Sequence, residues 1–236
     1  MSIICIFGHH YAFEILHYMT TEKTKRKVTH VAVAGNIGAG KTTLCTKLAK
    51  HFGWEVNYED TEDNPYLSDF YTDMKRWSFN LQIYFLNSRY RQILEIQGGD
   101  KVVIQDRTIY EDAHIFAPNL HDMGLMSTRD FNNYFELFET MSSQVNPPDL
   151  LIYLRADIPT LVNHIQKRGR EYEGNMSLDY LKRLNERYES WIEKYLSEKV
   201  GKLLIINVNK YDYNANPADL GEIINQVSRE LYGGLF

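Results

Sequence analysis

Long apolar runs are missing from this sequence. No stretch approaches the ~18 consecutive apolar residues that a membrane-crossing helix needs, so no membrane partner is expected. Cysteine is scarce, with only Cys5 and Cys45. Two such distant thiols frame no disulfide scaffold and point to a reducing, cytoplasmic compartment. A basic excess is also absent: 26 Lys and Arg stand against 31 Asp and Glu, for a net charge of −5. That argues against a general grip on nucleic acid, which a basic face usually provides. A small anionic ligand needs only a few local cations and stays allowed. Internal repeats and low-complexity linkers are lacking too, and 236 residues suit one α/β domain.

Short apolar runs do occur, and they alternate with helical patterns. Strands are expected at Val31–Ala34, Glu55–Glu59, Val102–Ile104, Leu150–Leu154 and Leu203–Val208. Helices are expected at Lys41–Phe52, Met74–Gln97, Pro159–Lys167, Leu178–Leu196 and Pro217–Leu231, with further helical segments between Asp106 and Gln144. Asn64-Pro65, Gly98-Gly99 and Pro147-Pro148 punctuate them. The pattern predicts an α/β fold, a five-stranded parallel sheet with helices on both faces, and the glycine-rich turn Gly35 to Thr42 after the first strand makes the expected fold one of the P-loop NTPase type. Residues 1–27 read as an N-terminal extension outside the fold, with 1–18 as an upstream segment, and 28–236 as one domain.

The first predicted strand runs into Gly35-Asn36-Ile37-Gly38-Ala39-Gly40-Lys41-Thr42, a full G-x-x-x-x-G-K-T. Glycines let backbone N–H groups turn inward around phosphate oxygens. Lys41 is placed to reach the β- and γ-phosphates, and the Thr42 hydroxyl to ligate Mg²⁺. The following helix adds its positive N-terminal end. ATP and Mg²⁺ are therefore the expected cofactors.

Ligands in such folds bind beyond the C-terminal ends of the parallel strands. Glu59 and Asp106 fall at two such ends. Asp106 suits Mg²⁺, and Glu59 suits the proton of an acceptor hydroxyl. Arg168-Gly169-Arg170 lies between two helices, where an arginine-rich lid could close over a transferring phosphoryl group. Asn209-Lys210-Tyr211-Asp212 matches the N-K-x-D by which GTP-driven switches read guanine. No aspartate in the chain has a glycine three residues on, however, so the γ-phosphate sensor of such a switch is missing.

Five segments in order, GNIGAGKTT, NYEDTEDNPYLSDFY, MKRWSFNLQIYFLNSRYRQ, QDRTIYEDAHIF and RGREYEGN, resemble the deoxynucleoside kinases over about Thr29 to Tyr213. The bacterial deoxyadenosine and deoxyguanosine kinases are the most similar, and deoxycytidine kinase and mitochondrial deoxyguanosine kinase are also similar. The resemblance implies transfer of the γ-phosphate of MgATP to the 5′-hydroxyl of a deoxynucleoside in salvage. It implies Glu59 as general base, Arg107 beside the 5′-oxygen, and Asp106 on the Mg²⁺ side. Tyr71 and Glu173 would hold the sugar 3′-hydroxyl. Gln82, Arg89 and Asp112 would read the base, with Phe116 sandwiching it. Arg168 and Arg170 would be the lid arginines, and Thr43 would extend the phosphate loop. Asp212 and Tyr213 would sit by the donor adenine, which gives the N-K-x-D segment another use.

Gln82 and Arg89 are seven apart and share one helix face, and Arg89 could pair with Asp112. In the family, Arg and Asp at these positions accompany purines and deoxycytidine, whereas thymidine acceptors have smaller or apolar residues there. A homodimer packed through helices is implied as well. One departure is His164, where the family often has an arginine one turn before the lid. The rival enzyme is a nucleoside-monophosphate kinase of the thymidylate type, but Glu59 among Asp60, Glu62 and Asp63 is a poor seat for a phosphate dianion.

Overall fold

Alternation along the strands sets the architecture. In β1, His30–Gly35, Val31 and Val33 face one side, while Ala32 and Ala34 face the other, all fully buried. β4, Leu150–Arg155, repeats this: Leu150, Ile152 and Leu154 on one side, Leu151 and Tyr153 on the other. A strand apolar on both faces must be covered on both. The computed structural model, which describes residues 29–59, 64–170, 173 and 176–233, meets that demand. The expected extension over 1–27 lies outside the described residues. So do the acids Asp60, Glu62 and Asp63, and the lid residues Glu171, Tyr172, Gly174 and Asn175.

The elements run β1, α1 (Lys41–Phe52), β2 (Glu55–Asn57), α2 (Leu67–Thr72), α3 (Met74–Gly98), β3 (Val103–Asp106) and α4 (Ile109–Glu111). A π-helical segment, Asp112–Phe116, joins α4 to α5 (Ala117–Asp122). Then come α6 (Thr128–Ser142), β4, α7 (Ile158–Arg168), α8 (Leu178–Glu198), β5 (Leu203–Asn207) and α9 (Pro217–Tyr232). All strand pairs are parallel, in the order β2-β3-β1-β4-β5.

One face packs the valines of β1 and Ile206 of β5 against Leu44, Cys45 and Leu48 of α1 and Ile223 and Val227 of α9. Cys45 is a buried free thiol there. The other face is lined by small Ala32 and Ala34, which make room for bulky helices. Phe85, Leu86 and Ile93 of α3, Tyr134 and Phe138 of α6, and Leu184, Tyr188 and Ile192 of α8 close over it. Among the described residues no helix is long and apolar enough to cross a membrane.

Three expectations needed correction, and each moves a functional residue. β2 ends at Asn57 rather than Glu59, because this edge strand pairs only with Val103–Gln105 of β3. Glu59 therefore sits on the loop beyond the strand. β3 runs on to Asp106, whose register partner is Val33, so Asp106 is a strand residue held against β1. The helical stretch after Arg107 contains the unforeseen π segment. Such insertions re-aim side chains and recur at functional sites. Here it carries Asp112 and Phe116.

Candidate active site

The loop from β1 to α1 closes on a hydrogen bond from Ala39 N to the Asn36 carbonyl, 3.1 Å. Gly38 and Gly40 adopt left-handed φ values of 84° and 90°. A Cβ on Gly38 would lie 2.7 Å from the Leu161 carbonyl oxygen, so only glycine fits. The Asn36 side chain anchors the loop to α8, donating to the Leu181 carbonyl and Asn185 Oδ1 at 3.2 Å each. Its own Oδ1 accepts from Ile37 N.

Lys41 Nζ donates inward to the carbonyls of Gly35 (2.9 Å) and Asn36 (3.2 Å). Burial, and next the charge of Arg107, lower its pKa to about 8 against the pull of Asp106, Glu59 and Glu111. A polyphosphate would offer the negative charge this ammonium lacks. The Thr42 hydroxyl donates to Asp106 Oδ2 at 2.5 Å. Asp106 Oδ1 is buried without a hydrogen-bond partner, and burial raises the carboxyl's pKa. An accessible hydroxyl and a buried carboxylate beside a phosphate loop, with one lone oxygen to spare, form a donor set that fits a hard divalent cation sharing its other ligands with phosphate and water.

From this loop a cleft of about 950 Å³ extends toward α3. Gly38, Gly40, Lys41, Thr42, Thr43 and Ile37 line one end. Glu59 stands in the middle. Its Oε1 accepts from Arg89 Nη2 at 2.6 Å and forms an ion pair with Arg107 Nε at 2.9 Å. The side chain keeps 21% of its surface open, toward the cleft. Burial alone would raise the Glu59 pKa, but Arg107, Arg89 and Lys41 outweigh it and bring it to about 2. Arg107 has φ 72°, strained for a residue with a Cβ. Its guanidinium lies 4.5 Å over the Phe116 ring.

At the far end, Arg89 Nη1 pairs with Asp112 Oδ2 at 2.8 Å, though off the line of a good hydrogen bond. Both side chains are almost fully buried, 4% and 2% exposed, so this is no surface ion pair. Gln82 is buried beside them with Oε1 unpartnered. Tyr71 and Phe116 complete the wall. Burial, countered by Arg89 and Arg107, raises the Asp112 pKa to about 7. The unfolded chain has already released that proton near pH 4. Asp112 should therefore cost stability as pH rises from about 4 to about 7, with the loss complete above that. Melting temperatures of the wild type and Asp112→Asn at pH 5.5 and 8.0 check this. The wild type is expected to lose ground to the variant at the higher pH.

The third wall comes from α7 and its sequel. Arg168 donates to both carboxylate oxygens of Glu173, and Arg170 Nη1 lies 3.8 Å from Glu173 Oε1. Both arginines and the buried Glu173 line the cleft. His164 meets the phosphate loop directly, with Nδ1 2.8 Å from the Gly38 carbonyl oxygen. Asp212 and Tyr213, expected beside the donor adenine, do not themselves line the cleft. Asp212 is exposed, and its Oδ1 accepts from Ala215 N. Tyr213 is buried under the phosphate loop, its hydroxyl 3.2 Å from the carbonyl oxygens of both Ala39 and Gly40. Their neighbour Asn214 is the residue of that segment that lines the cleft.

The sequence profile of the deoxynucleoside kinase family matches residues 31–232. The chain belongs to the deoxynucleoside kinase family. Among relatives of this kinase, the deoxyadenosine/deoxycytidine kinase of Bacillus subtilis is 40% identical over 207 residues, covering 86% of this chain and 93% of that protein. The deoxyguanosine kinase of Lactobacillus johnsonii is 38% identical over 214 residues, covering 86% and 93%. A solved structure, the deoxyadenosine kinase of M. mycoides with bound dCMP and dCDP, superposes with a TM-score of 0.75 at 29% identity. It covers 84% of this chain and 98% of that one.

Two buried groups of this kinase escaped sequence reasoning. Glu111 is fully buried and accepts from the backbone N–H of Gly35 (3.2 Å) and of Thr108 (2.8 Å). Its signal was available: Thr108-Ile109-Tyr110-Glu111 is a T-x-x-E capping box, which the structure forms. Tyr188, one of 17 tyrosines, donates to Glu111 Oε1 and accepts from Arg107 Nη1. Nothing local marks it, because its role depends on α8 packing across the sheet.

Proposed function

We propose that this kinase transfers the γ-phosphoryl group of ATP to the 5′-hydroxyl of deoxyadenosine or deoxyguanosine and also accepts deoxycytidine. The observation that carries this is the buried triplet at the distal end of the cleft. Gln82 presents an unpaired acceptor, and Arg89 and Asp112 present a donor and an acceptor beside it. A planar amide next to an Arg–Asp pair suits the alternating donors and acceptors on a base edge. The relatives named above are kinases of deoxyadenosine, deoxyguanosine or deoxycytidine.

The roles follow from position. The 5′-hydroxyl approaches Glu59, whose Oε1 is held by two arginines and whose Oε2 has no partner among the described residues. A carboxylate at about 2 is a weak base, which is enough, because a loose phosphoryl-transfer transition state asks for proton removal only late. Arg107 lies beside the 5′-oxygen. Tyr71 and Glu173 take the 3′-hydroxyl, and Phe116 covers the base. Lys41, Arg168 and Arg170 neutralise charge spreading over the transferred group. His164 adds a further ring nitrogen on the donor side. Asp212 and Tyr213 act on that side as the frame of the donor loop, with Asn214 toward the cleft.

Thr42 and Asp106 would hold Mg²⁺, which neutralises the phosphate oxygens when bound. In Thr42→Val and Asp106→Asn, the Mg²⁺ concentration giving half-maximal rate at fixed ATP should rise about tenfold or more. Thr42→Ser should leave it near the wild-type value.

The exposed Leu94 and Leu137 lie on α3 and α6, which pack side by side, and support a homodimer through these helices. The absence of a disulfide framework supports a cytoplasmic setting. The test is transfer from labelled MgATP to the four deoxynucleosides, adenosine and dTMP. The purine deoxynucleosides should be phosphorylated fastest. Transfer to dTMP alone would overturn the reading.

A further inference from the structure

Glu111 places a carboxyl side chain at a position with no exposure, between the two halves of the site. Its partners are specific. Oε1 accepts from Gly35 N–H, the first amide of the phosphate loop, at 3.2 Å and from the Tyr188 hydroxyl at 2.8 Å. Oε2 accepts from Thr108 N–H at 2.8 Å. The Tyr188 oxygen in turn accepts from Arg107 Nη1 at 3.0 Å, and Arg107 Nε reaches Glu59 at 2.9 Å. Arg107 Nη1 also lies 3.9 Å from Glu111 Oε1. A continuous line of polar contacts therefore runs from the phosphate loop to the carboxylate that faces the acceptor: hydrogen bonds join Gly35, Glu111, Tyr188 and Arg107, and an ion pair joins Arg107 to Glu59.

We propose that Glu111 and Tyr188 are positioning residues that tie the phosphate loop to Glu59 through Arg107, holding donor and acceptor in one register. The inference rests on the reading of Glu59 as the group at the 5′-hydroxyl. Two features support it. Arg107 leaves β3 with φ 72°, a conformation a side-chain-bearing residue keeps only when its surroundings insist. Its guanidinium is pinned on three sides, by Glu59, by Tyr188 and by the Phe116 ring. Gly35 is likewise gripped at both ends of the residue, its N–H by Glu111 and its carbonyl by Lys41. Phosphate arriving in the loop draws Lys41 off that carbonyl. Glu111 is then the side chain that still holds Gly35 in place. A rigid element between the loop and Glu59 is what phosphoryl transfer needs, since positioning supplies most of its rate.

Tyr188→Phe isolates the claim. The ring stacks on Tyr153 at 5.9 Å and meets Phe116 edge-on at 6.5 Å, so the variant keeps its packing and loses only the hydroxyl. Steady-state and single-turnover transfer from MgATP to the best deoxynucleoside would be measured in wild type, Tyr188→Phe, Arg107→Lys and the double variant. Tyr188→Phe should lower kcat about tenfold, the scale of one hydrogen bond to a charged group, with both KM values within about twofold. In the Arg107→Lys background the same change should cost less than about twofold further, because Tyr188 acts through Arg107. Glu111→Gln, where it folds, should follow the same pattern. An equal loss in both backgrounds would mean a merely structural tyrosine and overturn the proposal, as would wild-type kcat in Tyr188→Phe. Failure of the underlying function reading shows separately, as a wild-type enzyme inactive on every deoxynucleoside.

Discussion

Glu59→Gln is expected to lower kcat by roughly 10²–10⁴-fold, the usual contribution of a positioned base, while the KM for ATP stays within a few fold. The substitution is nearly silent in geometry. Both arginines contact Oε1, and the amide oxygen of glutamine can still accept from Arg89 and lie beside Arg107. What disappears is the charge and the second carboxylate oxygen, the one without a partner among the described residues. Single-turnover transfer to deoxyadenosine separates this loss of chemistry from loss of binding. A rate within threefold of wild type would remove Glu59 from the mechanism.

The same variant carries a stability signature. The Glu59 pKa is brought below its ordinary value by Arg107 and Arg89, overcoming burial. Its contribution is therefore fully present above the ordinary carboxylate range and is lost as pH falls toward about 2. The melting-temperature gap between wild type and Glu59→Gln should accordingly narrow in acid.

Arg89→Met combined with Asp112→Ala is expected to raise the ratio of kcat/KM for thymidine over deoxyadenosine by about 100-fold or more. Sites built to hydrogen-bond a substrate discriminate on at least this scale. The two changes belong together. Removing Arg89 alone would leave Asp112 buried and uncompensated, a costly state. Arg89 also grips Glu59 at 2.6 Å, so absolute rates will fall for every acceptor. The ratio is the informative quantity, and an unchanged ratio would sink the assignment of the base pocket. Gln82 stays in both forms, since its amide can serve purines and pyrimidines alike.

Much of this was legible in the residues. The strand–glycine turn–helix order of residues 31–52 announces a phosphate site, because only glycine readily takes φ 84° and 90° where the Leu161 carbonyl crowds Gly38 and the Tyr213 hydroxyl crowds Gly40. Gln82 and Arg89 fall on one face of α3 by helical periodicity alone. The D-R-T turn after an apolar run locates Asp106 and Arg107 at the mouth of the sheet.

Other features had no local signature. That Glu59 lies in a loop with two arginines on one oxygen follows from the early end of an edge strand, which depends on how far β3 offers a partner. The π segment that swings Asp112 toward Arg89 leaves no mark in periodicity. Tyr213 resembles a donor-site residue in its motif, yet the fold buries it under the loop, where its one hydroxyl proton faces two carbonyl oxygens. The sequence by itself therefore determined the chemistry on offer: a phosphate loop, two carboxylates, a base-reading pair and a cluster of arginines. The tertiary structure alone decided which of these groups touch. Ion pairs such as Glu59–Arg107 and relays such as Glu111–Tyr188 join residues 48 and 77 positions apart, and contacts of that range are set by how sheet and helices pack, not by any neighbour in the chain.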